Sequence, residues 1–495
     1  MTPANSRSPS VPRTATVKRA YDVCVIGSHL AGVAAGALLA RRGYRVLHVD
    51  PDGFGTGYED GGWRIPWGPA LLPTLRALPS AEAILAELGL ATDAARLLEP
   101  ARSGLQILLP RNRLDLPPAR GERTAELRRE WPGDVARLDA SLTSLRAAFD
   151  AAQPFLASFP PLPPRGLVER WRLHRSERRA PVGGDRGAVP LADLGDHPLA
   201  RALRSAWPFL SSLDGPPSAF GLARTLGGAL LGPLHPAGGE AAVAALLRRR
   251  IAETRGELLG GEGEPAPVSG MELDGDKVQS LHVKGGEARY AARAFVFAGE
   301  TTSLIRLAGD GAKLTRWLEP AAVSGRLASL AWVVRGDALP APLGDVALAM
   351  PGDGVPVLLQ CLPALRAGPK GHEPSPTERV LVAASPCASA PEALPEATAR
   401  LRRAVLEQFP FLDRAVVHES DPGKRPGATA FHPLFASRPD RALGVGGVPT
   451  SSPLSNLFLA GRSVLPGLGT EGQFHAAWQA AAAVERHLGA KARPK

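Results

Sequence analysis

The feature that most constrains this chain is a short apolar run that is followed by a glycine-containing segment from residue 27. Val23 to Ile26 are continuously apolar, which is typical of a strand buried on both faces. The segment Gly27-Ser28-His29-Leu30-Ala31-Gly32 follows, and the pattern predicts a helix from Val33 to Arg42. A second strand is then predicted from Tyr44 to Val49, with Asp50 directly after it. A strand, a glycine turn, a helix, a strand and an acid therefore follow one another in order.

That order is the fingerprint of a dinucleotide-binding βαβ unit. Gly27 permits the tight turn, and Gly32 lets the helix pack closely on the strands. The amide groups at the helix start, at the positive end of its dipole, would face a pyrophosphate. The Asp50 carboxylate would accept hydrogen bonds from a ribose. The contacts predicted from this unit are Gly27, Ser28, His29, Leu30, Ala31, Gly32 and Asp50.

Composition limits the class of protein. The length of 495 residues suits two domains, and 44% hydrophobic with 21% charged residues is ordinary for a globular chain. No stretch approaches the roughly 18 unbroken apolar residues of a membrane-spanning helix. The net charge of +10 comes from 58 basic residues scattered among 48 acidic ones, without a run of Lys and Arg interleaved with aromatics, so nucleic-acid binding is not expected.

The cysteines argue against metal and disulfide chemistry. Cys24, Cys361 and Cys387 lie far apart, so neither a disulfide nor a metal site is predicted, and a reducing, cytoplasmic compartment fits. Residues 1–20 are rich in Ser, Pro, Arg and Thr and lack an apolar core. We expect them to form a disordered tail.

Several further segments resemble those of the phytoene-desaturase-like flavoproteins. These share a fold with amine oxidases and with Rab GDP-dissociation inhibitors. The matching segments are Tyr58 to Pro69, Pro236 to Gly239 with the helix Glu240 to Arg255, Ala294 to Gly299, Asn456 to Arg462, and Pro466 to Gly472 with the helix Gln473 to Leu488. The resemblance implies FAD as cofactor. The further cofactor contacts it implies are Val268, Ala298, Gly299, Gly461, Arg462, Gly469, Thr470, Glu471 and Gly472.

The resemblance also implies the domain organisation. Its fold class is α/β, with a Rossmann-like FAD-binding domain assembled from residues 21–75, 232–307 and 442–490. Residues 76–231 and 308–441 would form a second, α+β substrate domain.

Two positions depart from the family pattern. His29 stands where the second glycine of the fingerprint approaches the pyrophosphate. Asp52-Gly53-Phe54 aligns with a Gly-Gly-Arg turn, so the arginine that helps to hold the phosphates is replaced by Phe54. Both changes affect the same interaction. Rab GDP-dissociation inhibitors keep the fold without flavin redox chemistry, and their strand-end context resembles Val46-Leu47-His48-Val49-Asp50 here.

Two functions therefore stand side by side. The first is an FAD-dependent oxidoreductase, a desaturase or isomerase of a long apolar, isoprenoid or carotenoid-like substrate, which works by hydride transfer to flavin. The second is a non-catalytic lipid- or protein-binding protein of the dissociation-inhibitor type that has lost flavin. The intact glycine turn from Gly467 to Gly472 favours the enzyme. An amine-oxidase-like enzyme would need an aromatic cage around the flavin, and the chain has few residues to form one, with 5% aromatic residues and 4 tyrosines.

Candidates for proton transfer are few. Glu471 and His475 are four positions apart at the start of the last helix, so they share a face, and either could act near the flavin ring or have only a structural role. His432 could line a substrate channel or be an ordinary buried histidine.

The segment Arg165 to Arg179 has six arginines, two glutamates and Trp171. It would form either a solvated surface helix or a peripheral contact with the inner face of a membrane.

Overall fold

The computed structural model describes a mixed α/β chain over most of the sequence. The described residues are 17–27, 29–53, 55–69, 71–179, 190–216, 218–236, 239–283, 288–309, 312–368, 371–390, 392–425, 432–436 and 442–489. The helices α1 to α15 are Leu30–Arg41, Pro79–Leu88, Ala91–Leu97, Arg120–Glu130, Val135–Ala151, Gln153–Ala157, Gly166–Arg179, Pro198–Ser205, Trp207–Leu210, Ala219–Ala229, Glu240–Glu253, Thr301–Ala308, Ala312–Leu318, Ala393–Gln408 and Gly469–Leu488. The strands β1 to β21 are Val17–Ile26, Val46–Val49, Tyr58–Asp60, Trp63–Ile65, Leu72–Pro73, Leu98–Pro100, Leu105–Leu108, Arg113–Leu116, Leu213–Asp214, Pro233–Pro236, Gly256–Leu259, Val268–Asp274, Lys277–Val283, Ala288–Phe297, Val323–Arg335, Val346–Ala349, Val357–Gly368, Gly371–Ala388, Val416–Ser420, Pro433–Ala436 and Leu457–Leu459.

The first sheet has the order β11-β2-β1-β14-β13-β12, with β21 beside the carboxyl end of β14. Its strands β11, β2, β1, β14 and β21 run parallel, whereas β13 and β12 are antiparallel. Residues 23–26 of β1 are completely buried, as their unbroken apolar run requires of a central strand. Helices α1, α11 and α15 pack together on one face of this sheet. The predicted α/β fold class with a Rossmann-like domain is thus confirmed.

Close packing between α1 and its neighbours depends on glycine. Gly27 has a φ of +109°, and a Cβ built there would lie 2.5 Å from the Ala298 carbonyl oxygen. A Cβ at Gly32 would lie 2.4 Å from the Ala298 Cβ. Neither position accepts a side chain unless the adjoining strand moves, so the glycines bring the start of α1 against the end of β14.

The second sheet has the order β8-β7-β16-β17-β18-β15-β20-β9. Strand β19 pairs with β15, and the β3–β4 hairpin pairs with β17. Helix α14 packs on β15 and β18, where Trp332, Leu401 and Val405 are buried. Most of these strands come from the segments assigned to the substrate domain, but Tyr58–Asp60 and Trp63–Ile65 come from the segment 21–75. The exact domain limits remain a prediction. Within the described part of the chain, no helix combines the length and apolarity needed to cross a bilayer.

Candidate dinucleotide site

Three parallel strands end side by side at the start of α1. The Ala298 amide donates to the Ile26 carbonyl at 2.8 Å, and the Ala460 amide donates to the Phe297 carbonyl at 3.0 Å. The ends of β1, β14 and β21 are therefore joined in one layer. Because parallel sheets bind ligands at the carboxyl ends of their strands, this edge is the expected position of a nucleotide.

A cavity of about 210 Å³ lies at this edge, over the first turn of α1. The residues that line it come from the start of α1, from α11 and from the loops after β2, β4, β11 and β21. They are His29, Leu30, Gly55, Thr56, Trp67, Glu240, Ala241, Ala244, Ala245, Arg248, Gly261, Glu262 and Arg462. The α1 amides face an anion here, and two arginines supply positive charge.

The strand-end acid Asp50 is fully buried and already bonded. Its Oδ1 accepts the amides of Asp52 at 3.2 Å and Gly53 at 2.8 Å. Its Oδ2 accepts Arg248 Nη1 at 2.6 Å, while Arg248 Nη2 donates to the Gly260 carbonyl at 2.6 Å. A ribose hydroxyl would thus have to share the carboxylate with Arg248. Sequence analysis missed Arg248; the only signal is that it lies on one face of α11 with Glu240 and Ala244.

Arg462 is the second cation of the cavity. Its Nη2 donates to Glu240 Oε2 at 2.7 Å, and its Nη1 lies 2.7 Å from His432 Nδ1. Its Nε is buried and has no hydrogen-bond partner among the described residues. Because a guanidinium carries only donors, Arg462 has a buried donor available for an anionic oxygen.

Glu240 is the centre of a polar cluster that the sequence did not reveal. Besides Arg462, its carboxylate accepts Thr470 Oγ1 at 2.7 Å and Gln473 Nε2 at 3.0 Å. Burial raises its pKa, but the charge of Arg462 and these hydrogen bonds outweigh burial, so the pKa lies below its ordinary value. Glu240 is therefore an anion that lies against the first turn of α15.

His29 of this cavity and His432, which contacts Arg462, are both neutral at pH 7. Burial and the neighbouring Arg462 lower the pKa of His432 to about 3 and that of His29 to about 4. Since Arg462 can only donate, Nδ1 of His432 is the acceptor and its proton resides on Nε2. The structure therefore places His432 beside the cavity, in direct contact with Arg462.

A narrower cavity of about 80 Å³ adjoins the first and is walled mainly by apolar side chains. Its apolar lining is Pro66, Trp67, Pro69, Leu71, Phe209, Leu210, Leu327 and Leu358. Gly469, Thr470 and Gln473 from the start of α15 close one side of it, and Glu240, His432 and Arg462 form its polar corner. Glu240 and Arg462 also line the first cavity. Gly469 has a φ of +55°, and a Cβ there would lie 2.1 Å from the Leu210 carbonyl oxygen, which explains the need for glycine.

Glu471 and His475 face the other side of α15. Glu471 Oε1 accepts the Ser80 amide at 3.1 Å and the Ser80 hydroxyl at 2.6 Å. His475 Nδ1 lies 3.2 Å from the same hydroxyl, and its Nε2 lies 2.9 Å from the Pro160 carbonyl oxygen. Burial raises the pKa of Glu471 to about 7 and lowers that of His475 to about 4. Neither residue lines the two cavities, so the structure brings them together but away from the cofactor edge.

The remaining predicted contacts fall into three groups. Leu30, Ala31 and Gly32 are buried in the first turn of α1. Ala298, Gly299 and Gly461 lie at the joined strand ends, and Gly472 fits closely in the first turn of α15, where a Cβ would lie 2.2 Å from the Leu465 carbonyl oxygen. Val268 begins β12, two residues after Ala266, whose amide donates to the Asp50 carbonyl. The predicted contact Ser28 and the motif positions Phe54, Ala237 and Gly238 lie outside the described residues.

The residues at the pyrophosphate end fit FAD. Gly27 and Gly32 leave no Cβ between the α1 amides and the strand ends, and Arg462, in the same cavity, has a buried Nε without a hydrogen-bond partner in the described part of the chain. At the adenosine end, Asp50 would contact a ribose only together with Arg248. Among the described residues, no group of three or more His, Cys, Asp or Glu side chains could hold a metal ion.

Comparison with known proteins supports the fold. A family model described as an NAD(P)-binding Rossmann-like domain matches residues 25–88. A search of curated proteins finds no match. An oxidoreductase from Methanosarcina mazei is similar in structure, with a TM-score of 0.57 and 14% identity over 92% of this chain and 99% of that one. Cyclohexylamine oxidase from Brevibacterium oxydans has a TM-score of 0.53 and 17% identity, over 94% of this chain and 99% of that one. Putrescine oxidase has a TM-score of 0.53 and 14% identity, over 94% of this chain and 98% of that one.

Proposed function

We propose that this chain is an FAD-dependent oxidoreductase, of the desaturase or isomerase kind, that acts on a long apolar substrate such as an isoprenoid or carotenoid-like molecule. One observation carries the proposal. The strand ends that suit a pyrophosphate continue directly into a cavity with apolar walls, and the glycine-led start of α15 forms one side of that cavity. A nucleotide-binding edge and an apolar pocket thus share Arg462, Glu240 and Trp67 as common lining.

The residues of the apolar cavity would hold and shield the substrate. Leu327, Leu358 and Phe209 offer contact without hydrogen-bond donors, which favours a hydrocarbon chain and keeps water from the reacting carbons. FAD, when bound, supplies the acceptor for a hydride from a substrate carbon. Thr470 and the α15 amides lie where they could stabilise negative charge at the cofactor end of this cavity.

The ionisable groups limit proton transfer in this pocket. Glu240 is a weak base because Arg462 stabilises its charge, and neutral His432 is weaker still, with a pKa near 3. Such groups accept a proton only from an unusually acidic carbon, for example one beside a carbocation. Desaturation of a polyene, in which charge is delocalised, suits this environment better than removal of a proton from an unactivated carbon.

The first test is the absorbance spectrum of the purified protein, followed by titration of colourless protein with FAD and with riboflavin. We expect bound flavin, with FAD preferred because riboflavin lacks the pyrophosphate that the α1 amides and Arg462 would contact. Incubation of the FAD-loaded protein with a polyene in vesicles and a quinone should then give a product with an additional double bond or a changed double-bond geometry, detected by chromatography. Failure of FAD to bind in any preparation would contradict the proposal.

A non-catalytic binding protein is the second candidate, and one observation favours it. The polar groups that a dinucleotide would use are already paired, Asp50 with Arg248 and Glu240 with Arg462. A protein that ignores FAD but binds a fluorescent isoprenoid lipid would support this second function.

We also propose a peripheral membrane contact through α7, residues Gly166–Arg179. Leu167, Val168 and Trp171 are 82%, 64% and 59% exposed on this helix, which also carries several arginines. Exposed apolar side chains among cations are what an anionic lipid surface attracts. Flotation with phosphatidylglycerol vesicles should recover the protein, and the Trp171→Ser variant should bind less. Equal recovery with neutral vesicles, or no recovery at all, would contradict this contact.

A further inference from the structure

We propose that Arg462 is the arginine that binds the pyrophosphate of the dinucleotide, and that Glu240 competes with the pyrophosphate for it. The inference rests on the proposed binding of FAD and assigns to Arg462 the work of the missing arginine at the Phe54 position. It makes Glu240 an internal occupant of the phosphate site, which the cofactor must displace.

Two arginines, Arg248 and Arg462, line the cavity over the α1 start. Both terminal nitrogens of Arg248 are engaged, one with the Asp50 carboxylate and the other with the Gly260 carbonyl, each at 2.6 Å. Arg248 is thereby fixed at the adenosine end. Of the two arginines that line this cavity in the described part of the chain, Arg462 is the one placed to reach the phosphates.

The position of Arg462 matches that role. It follows Gly461, where a Cβ would lie 3.8 Å from the Gly299 carbonyl oxygen, at the joined strand ends. After burial, its charge is the largest influence that lowers the pKa of His29, the residue that precedes α1. The guanidinium therefore lines the same cavity as the start of α1, which is where a pyrophosphate lies in this type of domain.

Two nitrogens of the Arg462 guanidinium are the ones that a phosphate oxygen would use. Its Nε is buried without a partner among the described residues, and its Nη2 is held by the Glu240 carboxylate. A phosphate oxygen that used Nε and Nη2 together would form the bidentate contact that guanidinium prefers. That contact requires Glu240 to release Nη2.

Glu240 can release the arginine because other partners hold it. Thr470 and Gln473 also donate to its carboxylate, at 2.7 and 3.0 Å. With three donors around it, the Glu240 carboxylate is held as an anionic ligand would be held in a binding site. Because the Glu240–Arg462 ion pair must open to free Nη2, cofactor binding is weakened by the free energy of that ion pair.

The experiment compares ligands with and without a pyrophosphate. Binding of FAD, ADP and adenosine to the full-length protein is measured by calorimetry at fixed ionic strength. Glu240→Gln keeps the size and an acceptor oxygen but removes the charge, and we expect it to bind FAD and ADP about tenfold more tightly, because no ion pair with Arg462 has to be broken. Arg462→Ala should bind both about tenfold or more weakly. Adenosine affinity should change in neither variant.

The double variant E240Q/R462A decides whether the two residues act on each other. If Glu240 works by occupying Arg462, the double variant will bind ADP as weakly as Arg462→Ala alone. Arg249→Ala is the matched control, because Arg249 lies on the same helix as Glu240 with its side chain 61% exposed and outside the cavity. Its affinities should equal those of the wild type. If Arg462→Ala does not fold, Arg462→Lys retains the charge without the paired donors and should weaken ADP binding severalfold.

The outcomes separate this inference from the proposed function. If the wild type binds FAD but Glu240→Gln binds ADP no more tightly, the competition is wrong while the function stands. A gain from Glu240→Gln that persists in the double variant would also overturn it, because the gain would not pass through Arg462. If no variant binds FAD or ADP, both proposals fail. Binding by Glu240→Gln alone would support the competition and show that the wild-type site is closed.

Discussion

The first turn of α15 has two faces, and a different buried carboxyl group lies at each of them. On the cavity face, Thr470 and Gln473 donate to Glu240, a residue of α11. On the opposite face, Glu471 belongs to the helix itself and accepts from Ser80 of α2. The pKa of Glu240 is lowered, whereas that of Glu471 rises to about 7. The difference shows that a cation in contact, rather than burial alone, decides whether a buried carboxyl group is charged.

This comparison assigns stability to one face and ligand binding to the other. Glu471, Ser80 and His475 are buried and bonded to one another, which is typical of a group that holds helices together. Glu240, Thr470 and Gln473 line cavities. Substitutions on the two faces should therefore affect different measurements.

The largest effect is expected from Glu471→Ala. The change leaves the buried Ser80 amide and hydroxyl without their acceptor, removes the carboxyl group that faces the buried Arg224, and opens a cavity. We expect the free energy of unfolding at pH 7 to fall by about 4 kcal/mol, measured by urea denaturation. The dissociation constant of FAD should remain within about threefold of the wild type. Loss of FAD affinity with unchanged stability would reverse the assignment of the two faces.

A somewhat smaller effect is expected in the pH dependence of stability. The pKa of Glu471 is about 7 in the folded protein, above the value of 4.5 for an unperturbed glutamate, so between these values the folded state binds more protons than the unfolded state. The contribution of this group to stability is full below pH 4.5 and is lost as the pH rises to 7. Relative to Glu471→Gln, the wild type should lose about 3 kcal/mol across this window. Parallel pH profiles for the two proteins would contradict the raised pKa.

The smallest effect is expected from Gln473→Leu on the cavity face. It removes one of the donors that hold Glu240, at a position with room beside it, so the free energy of unfolding should change by no more than about 1 kcal/mol. Without this donor Glu240 depends more on Arg462 and releases it less readily, so FAD should bind about two- to threefold more weakly. Calorimetry and urea denaturation on the same preparation test both expectations. A large loss of stability would show that both faces are structural.

Local patterns predicted much of the fold. The strand from Val23 and the helix that follows Gly27 appear close to their expected places, since a continuous apolar run and a glycine turn act over a few residues. The helix expected from Gln473 begins earlier, at Gly469. Glycines at 469 and 472 suggest a turn in sequence, but here they allow helix α15 to start in contact with the Leu210 and Leu465 carbonyls.

The site was less predictable, because its bonds join distant parts of the chain. The pairs Arg248 with Asp50 and Arg462 with Glu240 are separated by 198 and 222 residues. Helical spacing correctly put Glu471 and His475 on one face, yet it contains no information on which face meets the cavity. Only the packing of α15 against α2 determines that.

Arg248 has a consequence for the motions of the sheet edge. By holding both the acid that follows β2 and the Gly260 carbonyl after β11, one side chain ties the ends of two adjacent strands together. Backbone bonds run alongside, since the Asp50 amide donates to the Leu259 carbonyl at 2.8 Å. Local opening of this edge must break the ion pair as well as the ladder. The amide hydrogens of residues 256–260 should therefore exchange with solvent faster once Arg248 is replaced by alanine, even where the rest of the sheet exchanges at its former rate.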